Sequence, residues 1–257
     1  MSTEMASTQA ADDRDYGAWP YPRHLWPSVD AFLAAPLHDD GIHSIDCGGM
    51  PLDLLFHDGP LRCRKHPVVP VFFSGAVTTR AGKHPPFFSG VGMAKAGNHP
   101  AISVADPSLA LDARLGLAWY AGNALQPIQA ALAAVLEGLA VRSGIELLLI
   151  GGSGGGFAAL YYGYMLGSRA SVLVWNPQTD WIAYEEATVR KYLTVAYPVA
   201  SLPDTGGAAF REGAAVAMGS LGVVHSLLPI AKAATKFPRR LVYVQNASDW
   251  HVARHAA

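Results

Sequence analysis

The sequence predicts an α/β protein with a mostly parallel sheet and flanking helices, and three observations carry that expectation. Short apolar runs bounded by Gly, Pro, Ser or Asn recur at residues 68–74, 101–105, 145–150, 171–175 and 241–245, the pattern of buried strands. Residues 125–142 repeat apolar side chains at Ile128, Leu132, Val135 and Leu139, the spacing of an amphipathic helix and the crossover that a parallel sheet needs. The run Ile145-Glu146-Leu147-Leu148-Leu149-Ile150 stops in Gly151-Gly152-Ser153-Gly154-Gly155-Gly156 and resumes as Phe157-Ala158-Ala159-Leu160, which reads as strand, tight turn and helix.

Composition bounds the alternatives. A chain of 257 residues with 51% hydrophobic and 15% charged residues is long enough for one α/β domain and too apolar to be disordered. A net charge of −1 gives no field for nucleic acid or an anionic membrane. The clusters Arg62-Cys63-Arg64-Lys65 and Arg239-Arg240 are short enough to be solvated strand flanks. Cys47 and Cys63 form neither a metal motif nor a disulfide framework and read as buried free thiols. Residues 1–16 are rich in Ala, Ser and Thr, lack the order of a signal peptide, and read as a disordered lead-in. Residues 147–168 are uncharged over a membrane-spanning length, yet their glycines fit a turn and buried helix better. A cytoplasmic protein without membrane insertion is expected.

Taken in order, residues 16–27 are aromatic and proline-rich and are expected to pack onto the sheet, before a short helix at 28–33 with Ser28 as its N-cap. Residues 43–47 and 52–57, separated by Gly48-Gly49, suggest a hairpin of edge strands. Residues 78–98 are rich in Gly, Pro and Lys and read as a long surface loop rimming a pocket. Residues 181–194 and 208–234 read as mainly helical, broken by Leu202-Pro203-Asp204-Thr205-Gly206-Gly207. One domain is expected over 17–257, with a helical insertion at 177–238.

Gly151, Ser153 and Gly155 satisfy G-x-S-x-G, a turn that lifts a serine hydroxyl above the strand ends while small neighbours avoid clashes. Ser153 is therefore the candidate nucleophile. The Gly154 N–H, at the start of the following helix, points where negative charge would develop. Gly154-x-Gly156-x-x-Ala159 also matches a dinucleotide fingerprint, but it begins four residues past the strand, and the next strand ends in neutral Asn176 where a carboxylate is wanted. A phosphate-binding P-loop would need a lysine that is not there.

At this turn, at Asp106-Pro107-x-Leu109…Trp119-Tyr120-x-Gly122, at Asn176-Pro177-Gln178-Thr179 and at Gln245-Asn246-x-x-Asp249-x-His251, the sequence resembles the α/β-hydrolase superfamily over roughly residues 65–257. More narrowly, it is similar to bacterial hydrolase-like proteins associated with surface glycan or accessory secretion functions. The resemblance implies a small helical lid at 177–238, a second oxyanion donor at Gly75 or Ala76 after the strand 68–74, and Asp249 as the triad acid. It implies a histidine one strand further on. Only eight residues follow Asp249, so the last strand is expected to be missing, and His251 or His255 is left to complete the triad. The other histidines read as surface or packing residues.

The implied chemistry is ester cleavage through an acyl-enzyme on Ser153, with Asp249 and His251 as partners, Gly154 and Gly75 as oxyanion donors, and no metal or organic cofactor. Small-molecule or glycan esters are the expected substrates. Acyl transfer, a catalytically incomplete interaction protein and nucleotide binding are the competing readings. An open sheet edge at 241–245 would invite self-association.

Overall fold

The computed structural model describes residues 13–36, 38–62 and 67–249. Among the described residues, eight strands and seven α-helices follow one another as β1 (Arg23–Trp26), α1 (Val29–Ala34), β2 (Gly41–Asp46), β3 (Pro51–His57), β4 (Val68–Phe73), α2 (Val91–Gly97), β5 (Ala101–Val104), α3 (Ile128–Ser143), β6 (Glu146–Gly152), α4 (Ser153–Leu166), β7 (Ala170–Trp175), α5 (Glu186–Ala196), α6 (Ala208–Ser220), α7 (Leu228–Ala233) and β8 (Arg240–Val244). They form a single sheet in the order β1-β2-β3-β5-β4-β6-β7-β8. Only β3 is reversed, antiparallel to both β2 and β5, while all other pairs are parallel. The register aligns Phe73 with Gly151, Gly152 with Trp175 and Trp175 with Val244, so β4, β6, β7 and β8 end together at one edge. In open α/β sheets that carboxyl edge is where ligands bind.

Alternation along the strands builds a main core on one face of the sheet and two smaller clusters on the other. Val69, Val71 and Phe73 of β4, Leu147 and Leu149 of β6, and Leu52, Leu54 and Phe56 of β3 join the main core with residues of α1, α3 and α4. Phe72 and Ile150 face the opposite side, where they meet Ala94 of α2. Both faces are thus covered, which is why the parallel strands read as nearly continuous apolar runs. Helix α4 is uncharged and buried on nearly every side because it packs on β4, β6, β7 and α3. No described helix is long and apolar enough to cross a membrane.

Four sequence expectations are corrected. The β2–β3 hairpin is internal, because Arg23–Trp26 forms an additional outer strand beside β2 and β5 pairs with β3. The 78–98 stretch holds α2, whose Val91 and Ala94 are buried together with the preceding Phe88. Helix α3 starts at Ile128, after Pro127, where the missing N–H costs the helix nothing. The 208–234 stretch is two helices, since the chain turns at Gly222 with φ +70° and restarts with Pro229 in the first turn of α7. Cys47 is a half-buried free thiol, pushed up to about 11 by burial and then by the Asp46 charge; Cys63 lies outside the described residues.

Under β1 and β2, His38 and His43 are buried in an aromatic box with Trp26, Phe32 and Phe56. Trp26 Nε1 donates to His43 Nδ1 at 3.1 Å, so that nitrogen carries no proton, and His43 Nε2 donates to the Asp39 carbonyl at 2.9 Å. Among the described residues, neither ring nitrogen of His38 has a hydrogen-bond partner. Burial brings both imidazoles down to about 4 from an ordinary 6.5. The unfolded chain therefore binds protons that the folded one refuses as pH falls from 6.5 to about 4, and stability drops across that window. Asp106, pushed up to about 6 by burial, contributes the opposite slope between 3.8 and 6. The comparison of wild type with His38→Leu isolates the imidazole. Urea unfolding at a series of pH values should show a shallower loss toward pH 4 in the variant, by on the order of 3 kcal/mol. Parallel profiles for the two proteins would refute the account.

Candidate active site

Strand β6 ends in Gly151-Gly152, and Ser153 opens α4 with φ +52°, left-handed backbone that is costly for a residue with a side chain. Close packing imposes this bend. A Cβ on Gly151 would overlap the Gly155 carbonyl, and one on Gly155 would lie 2.5 Å from Phe73 O and 2.8 Å from Ser74 O. The serine is thereby lifted, half-buried, to the carboxyl edge of the sheet. It lines a pocket of about 330 Å³ with Gly75, Ser89, Phe72, Met93, Ile150 and Trp175 among its walls. Gly154 follows in the first turn of α4, where backbone N–H groups have no intrahelical acceptor. A dinucleotide loop would need open space over Gly156, but a Cβ there would meet Pro177 Cβ at 2.6 Å.

The segment from Asp106 to Tyr120 props this turn from below. Buried Asp106 accepts from Tyr120 N at 2.7 Å and from Ser108 N at 3.1 Å; burial raises its carboxyl to about 6, and these two N–H groups hold it from rising further. The bonds hold Trp119 and Tyr120, each at φ +54°. Tyr120 Oη then accepts from Ser74 N at 2.7 Å and donates to Val104 O at 2.9 Å, which fixes the start of the loop carrying Gly75. Trp119 stacks on Trp181 with ring centres 5.3 Å apart, and its Nε1 donates to Gln178 Oε1. Gln178 in turn donates from Nε2 to Ser153 Oγ at 3.2 Å and from its backbone N to Ser153 O at 3.1 Å.

Asn176 connects the same region to the loop after β8 that carries Asp249. Its backbone N donates to Val244 O at 2.9 Å, and its Oδ1 accepts from Asn246 N at 2.8 Å and Gln245 Nε2 at 3.2 Å. Asp249 N donates to Asn246 O at 3.0 Å, so the loop bearing Asp249 folds back two strands away from Ser153 on the same sheet edge. The Tyr184 phenol is raised by burial first, then by the charges of Glu185 and Asp249. His251 and His255 lie outside the described residues.

Among the described residues no histidine is bonded to Ser153 Oγ, and no cluster of three or more His, Cys, Asp or Glu side chains could hold a metal. His225, read from sequence as a surface or packing residue, pairs with Asp180 at 3.3 Å. Burial pushes the Asp180 carboxyl up, but the His225 hydrogen bond and charge, together with the Ile182 N–H, outweigh it and hold the group below its usual range.

Three substitutions separate packing from strain. Gly155→Ala should destabilise the fold by about 2–4 kcal/mol, because the carbonyls of Phe73 and Ser74 are backbone atoms that cannot step aside. Ser153→Gly should be more stable than Ser153→Ala by about 1 kcal/mol, since only glycine enters this φ without cost. Chemical denaturation of the three variants decides. Equal stability of Ser153→Gly and Ser153→Ala would mean that the elbow stores no strain.

No family model matches the sequence, and no curated protein matches it. Solved structures do. The capsule O-acetyltransferase of Neisseria meningitidis serogroup A is 14% identical, with 82% of this chain and 80% of that one covered at a TM-score of 0.52. A lipase/esterase from Lactobacillus plantarum is 11% identical over 81% of this chain and 93% of that one, with a TM-score of 0.39. An acylaminoacyl peptidase from Pyrococcus horikoshii is 14% identical over 84% of this chain and 38% of that one, with a TM-score of 0.42. The sheet order with its single reversed strand, the serine turn between β6 and α4, and the overlay with the acetyltransferase together give this chain the α/β-hydrolase fold.

Proposed function

We propose that the protein cleaves ester bonds of small O-acyl groups through an acyl-enzyme on Ser153. The observation that carries this reading is the left-handed Ser153 at the β6–α4 turn, raised beside a compact apolar pocket. In the proposed reaction Ser153 Oγ attacks the ester carbonyl while a histidine takes its proton. We assign that role to His251, with His255 as the other histidine of the same segment. Asp249 orients the ring and stabilises the imidazolium. The N–H groups of Gly154 and Gly75 receive the oxyanion, a role consistent with Gly75 and Ser153 sharing one pocket. The histidine returns its proton to the leaving alcohol, and water then attacks the acyl-enzyme and releases the acid.

The walls formed by Phe72, Met93, Ile150 and Trp175 favour a short, apolar acyl group. Its alcohol partner is a small molecule or a glycan hydroxyl. Acyl transfer is the second reading, because the same sheet and helix frame serves an O-acetyltransferase in the neighbour described above. A sugar hydroxyl that outcompetes water for the same acyl-enzyme would give that outcome.

A fluorophosphonate probe should label wild type on Ser153 alone, and p-nitrophenyl acetate should be hydrolysed. Ser153→Ala should abolish both while the protein stays folded. Hydrolysis that persists undiminished in Ser153→Ala would sink the enzyme assignment. Faster release of p-nitrophenol when a sugar acceptor is added, with acylated sugar as product, would select transfer over hydrolysis.

A further inference from the structure

The chain of contacts from Trp119 through Gln178 to Ser153 determines which end of the Gln178 amide meets the serine. An indole N–H can only donate, so the end of Gln178 that faces Trp119 Nε1 is the carbonyl Oε1. The end 3.2 Å from Ser153 Oγ is then the NH2 group. Reversing the amide would set two donors against each other at Trp119, in a place where Gln178 is fully buried and Trp119 nearly so. The orientation is further held by the Gln178 backbone N–H, which donates to Ser153 O at 3.1 Å.

An amide NH2 has no lone pair to receive a proton, so Gln178 is excluded as the base that activates Ser153. It occupies instead one lone pair of the hydroxyl oxygen, and a hydroxyl that accepts on one side directs its hydrogen elsewhere. We infer that Gln178 is a positioning residue for the serine chemistry proposed above, on which this inference rests. Its NH2 turns the Ser153 hydrogen toward the base and stabilises the charge that grows on Oγ as that hydrogen leaves. A donor aimed at developing charge acts most strongly at the moment the charge forms. Trp119 is the second link, since it fixes the amide, and Trp181 holds Trp119 by stacking.

The test uses fluorophosphonate labelling of the full chain. In that reaction the Ser153 Oγ–P bond forms, the P–F bond breaks, fluoride leaves and the serine proton passes to the base. Gln178→Met keeps the side-chain length and removes the donor. Gln178→Glu keeps an acceptor for Trp119, and so protects the fold, while an ionised carboxylate cannot donate to Oγ. Both variants should label at least about tenfold more slowly than wild type at pH 8. The ratio of Gln178→Glu to wild-type rates should rise as pH is lowered, because the protonated acid regains a donor; that ratio cancels the titration of the base common to both proteins. A purely structural role would leave this ratio flat. Thermal melting of each variant reports folding.

A second measurement does not depend on labelling. In 15N-labelled protein, Ser153→Ala should shift the Gln178 NH2 proton that faces Oγ upfield and leave the Trp119 indole proton in place. An unmoved NH2 resonance overturns the assignment. Folded Gln178→Met and Gln178→Glu proteins that label at the wild-type rate with the wild-type pH dependence overturn the role of Gln178 and leave the proposed function standing. A wild type that no fluorophosphonate labels overturns the proposed function, and the inference falls with it.

Discussion

Gly155 lies against the carbonyls of Phe73 and Ser74 with no room for a methyl group, and Gly151 lies equally close to the carbonyl of Gly155. Because of this double approach, α4 can leave the sheet only by passing directly over the end of β4. Ser153 must then take a backbone conformation that serine disfavours. Everything at the carboxyl edge follows from that geometry. The strand ends are brought level, and the loop after β4 comes beside the serine, so that Gly75 and Ser153 line one pocket. Strain of this kind persists only where the surroundings over-determine it. Here the surroundings are backbone atoms at the end of β4 and in the first turn of α4.

A second layer holds the first in place with polar groups that are buried and paired. Asp106 fixes Tyr120, Tyr120 fixes Ser74, and Trp119 fixes Gln178 against Ser153, so one buried carboxylate orders both sides of the turn. Removing a partner from such a network leaves its neighbours desolvated and unsatisfied, a larger cost than the bond itself. Asn176 does the corresponding work for the loop after β8, with hydrogen bonds to Gln245 and Asn246. The described residues of the four sequence stretches that carried the family resemblance are therefore linked into one connected support on the side of Ser153.

The strands most legible in the sequence were those buried on both faces. β4, β6 and β7 are runs of Val, Leu, Ile and Phe that end in Gly, Ser or Asn, and burial on both sides leaves no polar face to confuse the period. Arg23–Trp26 alternates exposed and half-buried residues after a proline-rich stretch, so it carried no strand signal until β2 was there to pair with it. Helix α2 escaped notice because it is short, glycine-containing, and closed by left-handed Gly90 and Asn98 rather than by a side-chain cap. The serine was readable because a tight turn has a local signature. Gln178 was not readable as a contact to it: its partners lie 25 residues away at Ser153 and 59 away at Trp119, and only the folded sheet brings them together.

The strands that carry Ser153 and Asp249 are held unequally. Ser153, Gly154 and Gly75 rest on β4 and β6, each flanked by strands on both sides, whereas the loop with Asp249 follows β8, which among the described residues pairs with β7 alone and exposes all five of its residues. Amide hydrogens of an outer strand exchange through openings that cost far less than global unfolding. Among the described strands, β8 is thus expected to exchange its amide hydrogens ahead of β4 and β6, an opening that stability measured on the whole domain does not report.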